Sequence, residues 1–505
     1  MTLAIVYSRA SSGISAPLIT VEVHISRGAP LLNIVGLPEA AVKESKDRVR
    51  SALMNSGFEF PRSRITINLA PADLPKGGGR FDLPIALGIL AASRQISKKK
   101  LSENEFTGEL ALSGDLRWSH GVLPMVISVK QAGRNLIIPA SNAVEASVVK
   151  DAKVFTANHL LEVCAYLRGE RDLPACQYVV SMQEDEKLLD LADVKGQSHA
   201  KQALEIVAAG KHSGLFIGPP GTGKTMLASR LPGISPSLSE EQALEVAAIS
   251  SISSSGFNPA RWQKIPFRSP HHSSSSVALV GGGRPPRPGE ISLAHQGILF
   301  LDELPEFSRQ VLESLREPLE SGQITISRSA FQMIYPAQFQ LIAAMNPCPC
   351  GYAGSASSQC HCTHEQVQRY MRKLSGPLLD RIDLHVEVPT LSPEVLAKIE
   401  NDNVDKSCLV KERVIQAQHI QRQRQGKCNA HLSVTEIQTY CQLDDGSQQL
   451  LLRIMQKFNL SARIYHRILK VARTIADLAG DEMILGRHLS AALTYRCLDR
   501  AKVIQ

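Results

Sequence analysis

The run LFIGPPGTGKTMLASRL, residues 215–231, decides the fold. Three apolar residues read as the end of a strand, GPPGTGKT (218–225) as a tight loop, and the residues from Thr225 onward as a helix. Gly221 and Gly223 let the backbone curl so that amide N–H groups face an anion, and the helix N-terminus adds its dipole. Gly218, Pro219, Pro220, Gly221, Thr222, Gly223, Lys224 and Thr225 then form a phosphate cradle. Lys224 is placed to reach the β- and γ-phosphates and Thr225 to hold Mg²⁺. A plain glycine-rich turn has the same letters, so the reading needs a second string.

That string is ILFLDE, residues 298–303. Four apolar residues make a fully buried parallel strand, and it ends in Asp302 and Glu303 at the carboxyl edge, where such sheets bind ligands. Asp302 is expected in the Mg²⁺ shell and Glu303 as the group that polarises an attacking water. A third buried-strand pattern, QLIAAMN (340–346), delivers the Asn346 amide to the same water. Downstream, Arg381 in PLLDRIDLHVEVP and Arg463 in LSARIYHRILKVARTIADL extend the constellation, although each also reads as an ordinary surface arginine.

Working outward, 505 residues at 43% hydrophobic suffice for two or three domains with separate cores. Residues 1–168 interleave short β patterns (Val21, Val23, Ile25; 65–69) with helical stretches, one over 39–56 closed by Gly57. Residues 169–187 are charged, aperiodic and carry Pro174, as a linker does. Residues 188–392 hold the cradle and alternate strand and helix, and 393–505 read as an all-α lid. The formal charge of +8 permits a polyanionic partner and equally fits a solvated surface. The apolar run from Leu3 breaks at Ser8 and Arg9, and no segment nears the roughly 18 apolar residues of a membrane helix. A cytoplasmic chain without membrane contact is expected.

Four of the ten cysteines, Cys348, Cys350, Cys360 and Cys362, fall within fifteen residues. Two C-x-C pairs supply the soft ligands of a tetrahedral Zn²⁺ site, with unmetallated loop cysteines as the alternative and His361 and His364 as substitute ligands. Cys348 lies two residues beyond Asn346, so a metal there would fix the loop leaving the catalytic strand. The pair His271 and His272 lacks metal spacing to these cysteines and receives no role.

The strings GELALSGDLRWSHGVLP, DVKGQ, GPPGTGKT, FRSPHHSSSSVALVGGGRPPRPGEISLAHQGILFLDELPEF, AAMNPCPCG and SARIYHRILKVARTIADL together resemble the Mg-chelatase-like AAA+ family known as YifB or ComM, over nearly the whole chain. The resemblance implies an α/β fold: a P-loop AAA+ core, an N-terminal α+β domain like that of Lon protease (ribosomal S5 domain 2-like), and a C-terminal helical lid. It implies Arg381 as an arginine finger, Arg463 as sensor 2, Asn346 as sensor 1, and DVKGQ near the adenine. It also implies that residues 324–337 form a hairpin aimed into the pore of a homohexamer. Arg328, Phe331 and Tyr335 there offer a grip on phosphate and bases, while the same alternation suits a strand packed on a sheet.

In the N-terminal domain the resemblance places KGGGRFDLPIALGILAAS where Lon carries its nucleophile. Arg80 stands at the serine and Leu123 or Pro124 at the lysine, so peptidase chemistry is not expected. A scaffold or a DNA-binding collar remains, the latter through Lys98 to Lys100, Arg62, Arg64, Lys76 and Arg80, which also read as a solvated face. The basic string KERVIQAQHIQRQRQGK (411–427) can track phosphates or be a solvated helix face. With ATP and Mg²⁺ as cofactors, two functions are open. One is a helicase or branch-migration motor on single-stranded and branched DNA, acting in recombination and natural transformation with other recombination proteins. The other is a chelatase-like ATPase remodelling a protein or metallocomplex partner, which the missing D-x-S-x-S motif disfavours.

Overall fold

The computed structural model describes residues 2–36, 39–74, 76–177, 189–283, 286–328, 331–353, 360–391, 406–458 and 460–498. The alternation at Val21 and Val23 becomes strand Leu18–Ser26, whose residues Ile19, Val21 and Val23 are fully buried. It lies third in a seven-stranded mixed sheet ordered Leu31–Val35, Arg64–Ala70, Leu18–Ser26, Thr2–Arg9, Asn104–Phe106, Asn135–Pro139 and Val154–Ala157. The helix expected over 39–56 runs Ala40–Asn55, and Gly57 adopts φ +79° beyond it. Helix Asp82–Ala92 is buried at every position, as a helix without a polar face must be, and it packs against Leu18–Ser26 and Thr2–Arg9.

The described part of the stretch expected to be a linker, 169–187, packs on the N-terminal sheet. Leu173 is buried, Thr156 N–H donates to Pro174 O at 3.0 Å, and Cys176 N–H donates to Val154 O at 2.8 Å. The open edge of Val154–Ala157 captures the passing chain, and Pro174 still offers it a carbonyl. Residues 178–188 lie outside the described residues, as does the expected core–lid boundary at 392–393.

The second unit is built on five parallel strands ordered Phe267–Arg268, Ile298–Leu301, Gln340–Met345, Gly214–Ile217 and Leu384–Glu387. Successive residues serve opposite faces. Phe216, Phe300, Ile342 and Ala344 enter one core, while Leu215, Leu299, Leu301, Leu341 and Ala343 enter another. Both faces are covered, which is why these strands read as continuous apolar runs.

The first of those cores continues without a break into the C-terminal helices Ser407–Gln425, Val434–Tyr440, Asp445–Phe458, Ala462–Ala479 and Gly486–Thr494, through Val414, Ala417, Ile468, Leu469 and Ala472. One face of the basic string at 411–427 is part of this joint, while Glu412, Gln416, His419, Arg422 and Gln423 are exposed, as the solvated-face reading expects. Gln418 and Gln421 donate to Ala208 O and Ala209 O, Arg413 pairs with Glu205, and Arg424 pairs with Asp477.

A buried carboxylate pins the joint. Asp383 accepts from Ser213 N–H at 3.0 Å, faces His212 Nδ1 at 3.3 Å, and pairs with Arg467 of helix Ala462–Ala479. Burial pushes this carboxyl up, but Arg467, His212 and Ser213 outweigh it and hold it well below the usual carboxylate range.

The N-terminal sheet unit docks through helix Val122–Ala132, whose Val122, Met125 and Val126 share a core with Ala247 of helix Glu240–Ile252. Arg80 donates to His120 O at 3.2 Å beside this helix, and Leu123 and Pro124 are buried in it. Of the residues read as a basic collar, Lys76 is fully buried and donates to Pro71 O, while Lys98 and Lys100 donate to Leu3 O and Tyr166 O. Lys76 is thus withdrawn from any basic face, while Arg62, Arg64, Lys98 and Lys99 stay exposed, as the solvated-face reading expects.

Candidate active site

The cradle stands at the carboxyl ends of three neighbouring strands. Gly218 leaves strand Gly214–Ile217, and a Cβ there would lie 2.1 Å from Val388 O, so the first glycine is required by the neighbouring chain. Gly221 and Gly223 take φ +78° and +89°, which lets the loop curl before helix Lys224–Ile234 begins. Lys224 is buried. Its ammonium donates to Gly218 O at 2.7 Å, Pro219 O at 2.8 Å and Asn346 Oδ1 at 3.2 Å. Burial lowers its pKa, and the charges of Asp302 and Glu303 oppose that shift. Thr222 donates to Pro219 O at 2.9 Å, closing the loop on itself.

Strand Ile298–Leu301 brings Asp302 to Thr225, whose hydroxyl donates to Asp302 Oδ2 at 2.7 Å. Hydroxyl and carboxylate together are the hard oxygen ligands that Mg²⁺ takes, so the residues present fit that ion. Glu303 N–H donates back to Asp302 Oδ1 at 2.9 Å, and Glu303 adopts a left-handed backbone, φ +54°, uncommon for a residue with a side chain. Its carboxylate meets His272 Nδ1 at 3.2 Å. The sequence reading gave His272 no role. It follows strand Phe267–Arg268, which is paired with Ile298–Leu301, and that position at the same sheet edge was the available signal.

DVKGQ packs behind the cradle: Gln197 donates to Thr222 O at 3.3 Å and Pro389 O at 2.7 Å, and Asp193 pairs with Arg230 at 3.4 Å.

Arg381 and Arg463 stand elsewhere. Arg381 is buried, paired with Glu320, and donates to Pro377 O at 2.6 Å, while its Nε has no partner among the described residues. Arg463 is exposed on the first turn of Ala462–Ala479. The Arg381 hydrogen bond, with further charge from Arg463 and Arg316, holds Glu320 below its usual range. Among the described residues no hydrogen bond or ion pair joins either arginine to Lys224, Thr225, Asp302 or Asn346.

The expected hairpin is present: Gln323–Arg328 pairs antiparallel with Phe331–Pro336, and Arg328 faces Phe331 in the register. Tyr335 does not fit the suggested contact with bases. It is 1% exposed and its hydroxyl donates to Pro286 O at 2.8 Å, because strand alternation turns it inward. Ser329 and Ala330 lie outside the described residues.

Cys348, Cys350, Cys360 and Cys362 come together, with all four sulfurs within 4.8 Å of one another. Three separations are 3.3, 3.8 and 3.6 Å. A tetrahedron with Zn–S bonds of about 2.3 Å has edges of about 3.8 Å, so the donor set fits zinc. All four are free thiols, without disulfides.

A phosphate loop, an acidic pair and an asparagine on adjacent strands of this parallel sheet define a P-loop nucleotide site of the AAA+ class. Family comparisons agree. Residues 190–396 match the model for magnesium chelatase subunit ChlI, residues 21–142 a second model for subunit ChlI of Mg-chelatase, and residues 404–496 the model for its C-terminal part. Competence protein ComM of Haemophilus influenzae is 52% identical over 505 residues, covering 99% of this chain and 98% of that protein. The protein YifB of Escherichia coli is 51% identical over 505 residues with the same coverage. A Mycobacterium tuberculosis protein is 40% identical over 504 residues, covering 98% of this chain and 99% of that one. The chain belongs to the YifB/ComM family of Mg-chelatase-like AAA+ proteins. No described helix is long and apolar enough to cross a membrane.

Proposed function

We propose that this chain is the subunit of a ring-forming ATPase, a homohexamer, that couples ATP hydrolysis to movement along DNA or remodelling of it. Branched DNA in recombination and competence is its substrate. The observation that carries the hydrolytic part is the meeting of Lys224, Thr225, Asp302 and Asn346 at one sheet edge with Glu303 beside them. Lys224 would bind the β- and γ-phosphates, Thr225 and Asp302 would hold Mg²⁺, and Asn346 and Glu303 would orient and polarise the attacking water. ATP brings the bond to be broken, and Mg²⁺ neutralises charge on its oxygens. His272 holds the Glu303 carboxylate at 3.2 Å. Arg381 and Arg463 serve the nucleotide of a neighbouring subunit, with Arg381 as the finger and Arg463 as sensor 2.

The DNA part is supported by the 52% identity to a protein named for competence and by the hairpin at 323–336 with Arg328 and Phe331 in its register. The N-terminal unit is read as a Lon-like scaffold without peptidase chemistry, since Arg80 and Leu123 or Pro124 occupy the positions of nucleophile and base. The four thiolates are read as a structural Zn²⁺ site. The descriptions of the matching family models favour a second reading, a chelatase-like motor acting on a protein or metallocomplex.

ATPase rate measured with no DNA and with single-stranded, duplex and branched DNA, using Lys224→Ala as the blank, separates the two. Stimulation by branched DNA together with strand movement is the expected result. No binding and no rate change at low salt, where phosphate contacts are strongest, would remove the DNA reading and favour the second.

A further inference from the structure

The cysteine loop touches the nucleotide cradle. Its first ligand, Cys348, is fully buried two residues after Asn346. Between the first two ligands and the second two, the chain turns at Gly351, whose N–H donates to Cys348 O at 3.0 Å and whose φ is +89°. A Cβ on Gly351 would stand 2.8 Å from Cδ and 3.3 Å from Cγ of Pro220, and 3.9 Å from the side-chain carbon of Asn346. Gly351 therefore lies against the phosphate loop and the catalytic asparagine together. On the other side, Cys362 is followed by the Thr363 capping box that starts helix His364–Met371. That helix buries Tyr370, whose phenol is pushed up to about 12, chiefly by burial, and hydrogen-bonds the Asn346 backbone.

We infer that the four-thiolate metal centre is a brace for the nucleotide site: Zn²⁺ held by Cys348, Cys350, Cys360 and Cys362 keeps Gly351 seated on Pro220, and so fixes the loop on which Lys224 and Asn346 meet. The inference rests on the zinc reading given above and adds what the metal does. The sulfurs are already at the spacing of a tetrahedral site, and binding a soft cation there would displace their protons and hold all four as thiolates. The metal also closes the distance between the end of strand Gln340–Met345 and the start of helix His364–Met371, two elements that both grip Asn346. Without it, Gly351 is held by the backbone alone, and the cradle loses a wall. A misplacement of about 1 Å at such a site costs on the order of a hundredfold in rate, so partial slackening of the wall is expected to cost on the order of tenfold.

The test uses the full chain in three forms: wild type, the double variant Cys360→Ser/Cys362→Ser, and Gly351→Ala. Gly351→Ala leaves all four ligands in place but drives a methyl group into Pro220 from a backbone that disfavours any side chain. Metal content is read by elemental mass spectrometry, and cobalt substitution reports tetrahedral thiolate ligation optically. Affinity for a fluorescent ATP analogue and turnover are read alongside. The expected result is one zinc per chain in wild type and in Gly351→Ala, with none in the double variant. Both variants are expected to lose on the order of tenfold in nucleotide affinity or turnover. Wild-type protein carrying no metal would overturn the zinc reading and the brace with it. Zinc present in wild type and Gly351→Ala, with affinity and turnover unchanged in both variants, would overturn the brace alone.

Discussion

The nucleotide cradle and the arginine edge of the same unit are built in opposite ways. In the cradle, Lys224 reaches Asn346 at 3.2 Å and Thr225 reaches Asp302 at 2.7 Å, so its parts meet within one chain. At the edge, Arg381 is paired with the half-exposed Glu320, and Arg463 is exposed nearby. The cradle's contacts are mutual and fixed by three adjacent strands, whereas at the edge Arg381 answers one half-exposed carboxylate and the carbonyl of Pro377. A site of the first kind is complete by itself. In the ring reading proposed above, the second kind serves the nucleotide of a neighbour.

The largest test of this contrast is Arg381→Ala. Turnover is expected to fall by roughly 10³ or more while nucleotide binding persists, whereas Lys224→Ala loses both. Mixing the two inactive variants is expected to restore part of the activity, because an intact cradle can then face an intact arginine. If mixing restores nothing, the arginine acts within its own chain and the contrast fails.

A smaller effect falls on the link between the two regions. Asp383 lies two residues after Arg381, is hydrogen-bonded to Ser213 at the start of the cradle strand, and pairs with Arg467, one turn beyond Arg463. Asp383→Asn leaves Arg467 facing a neutral partner and is expected to cost about 3 kcal/mol of stability. The sign with pH follows from the depressed carboxyl: its contribution is present above about pH 4 and is lost as pH falls toward the lower folded value. Thermal melts from pH 7 to pH 3 should therefore steepen less at the acid end in the variant than in wild type. Parallel curves would show that Asp383 does not carry this coupling.

The smallest expected effect belongs to Glu320→Gln, which removes the anion competing for Arg381. Because that carboxylate is half exposed, turnover is expected to rise by no more than about fivefold, and the gain should shrink as salt is added. A fall in turnover would mean that Glu320 helps to place the arginine.

The cradle was legible in the sequence because its chemistry is contiguous: glycine curl, lysine and threonine follow one another, and Asp302 and Glu303 end a run that can only be a buried strand. The layout of sheet and lid followed for the same reason, from runs whose period matches their element. What escaped was pairing across the fold. His272 meets Glu303 only because two strands lie side by side, and Lys76, Arg413 and Arg424 look like a basic surface until their partners are placed. Alternation along the hairpin showed that one face is buried but not which one, so Tyr335 was offered to a ligand that it cannot reach. The packing of 173–176 on a sheet edge was likewise not legible, because it depends on backbone groups, which composition does not record.

The buried root of the hairpin sets how far its strands extend from the body of the protein. Tyr335 is anchored to Pro286, and the Cβ direction of Gly13, in the N-terminal unit, comes within 3.2 Å of Ile334 O. From Tyr335 to Phe331 the strand runs four residues, roughly 13 Å at the usual rise. In the ring reading proposed above, an arm anchored at this root can meet a substrate only within that radius. The N-terminal unit therefore meets the hairpin at its root and not along its length.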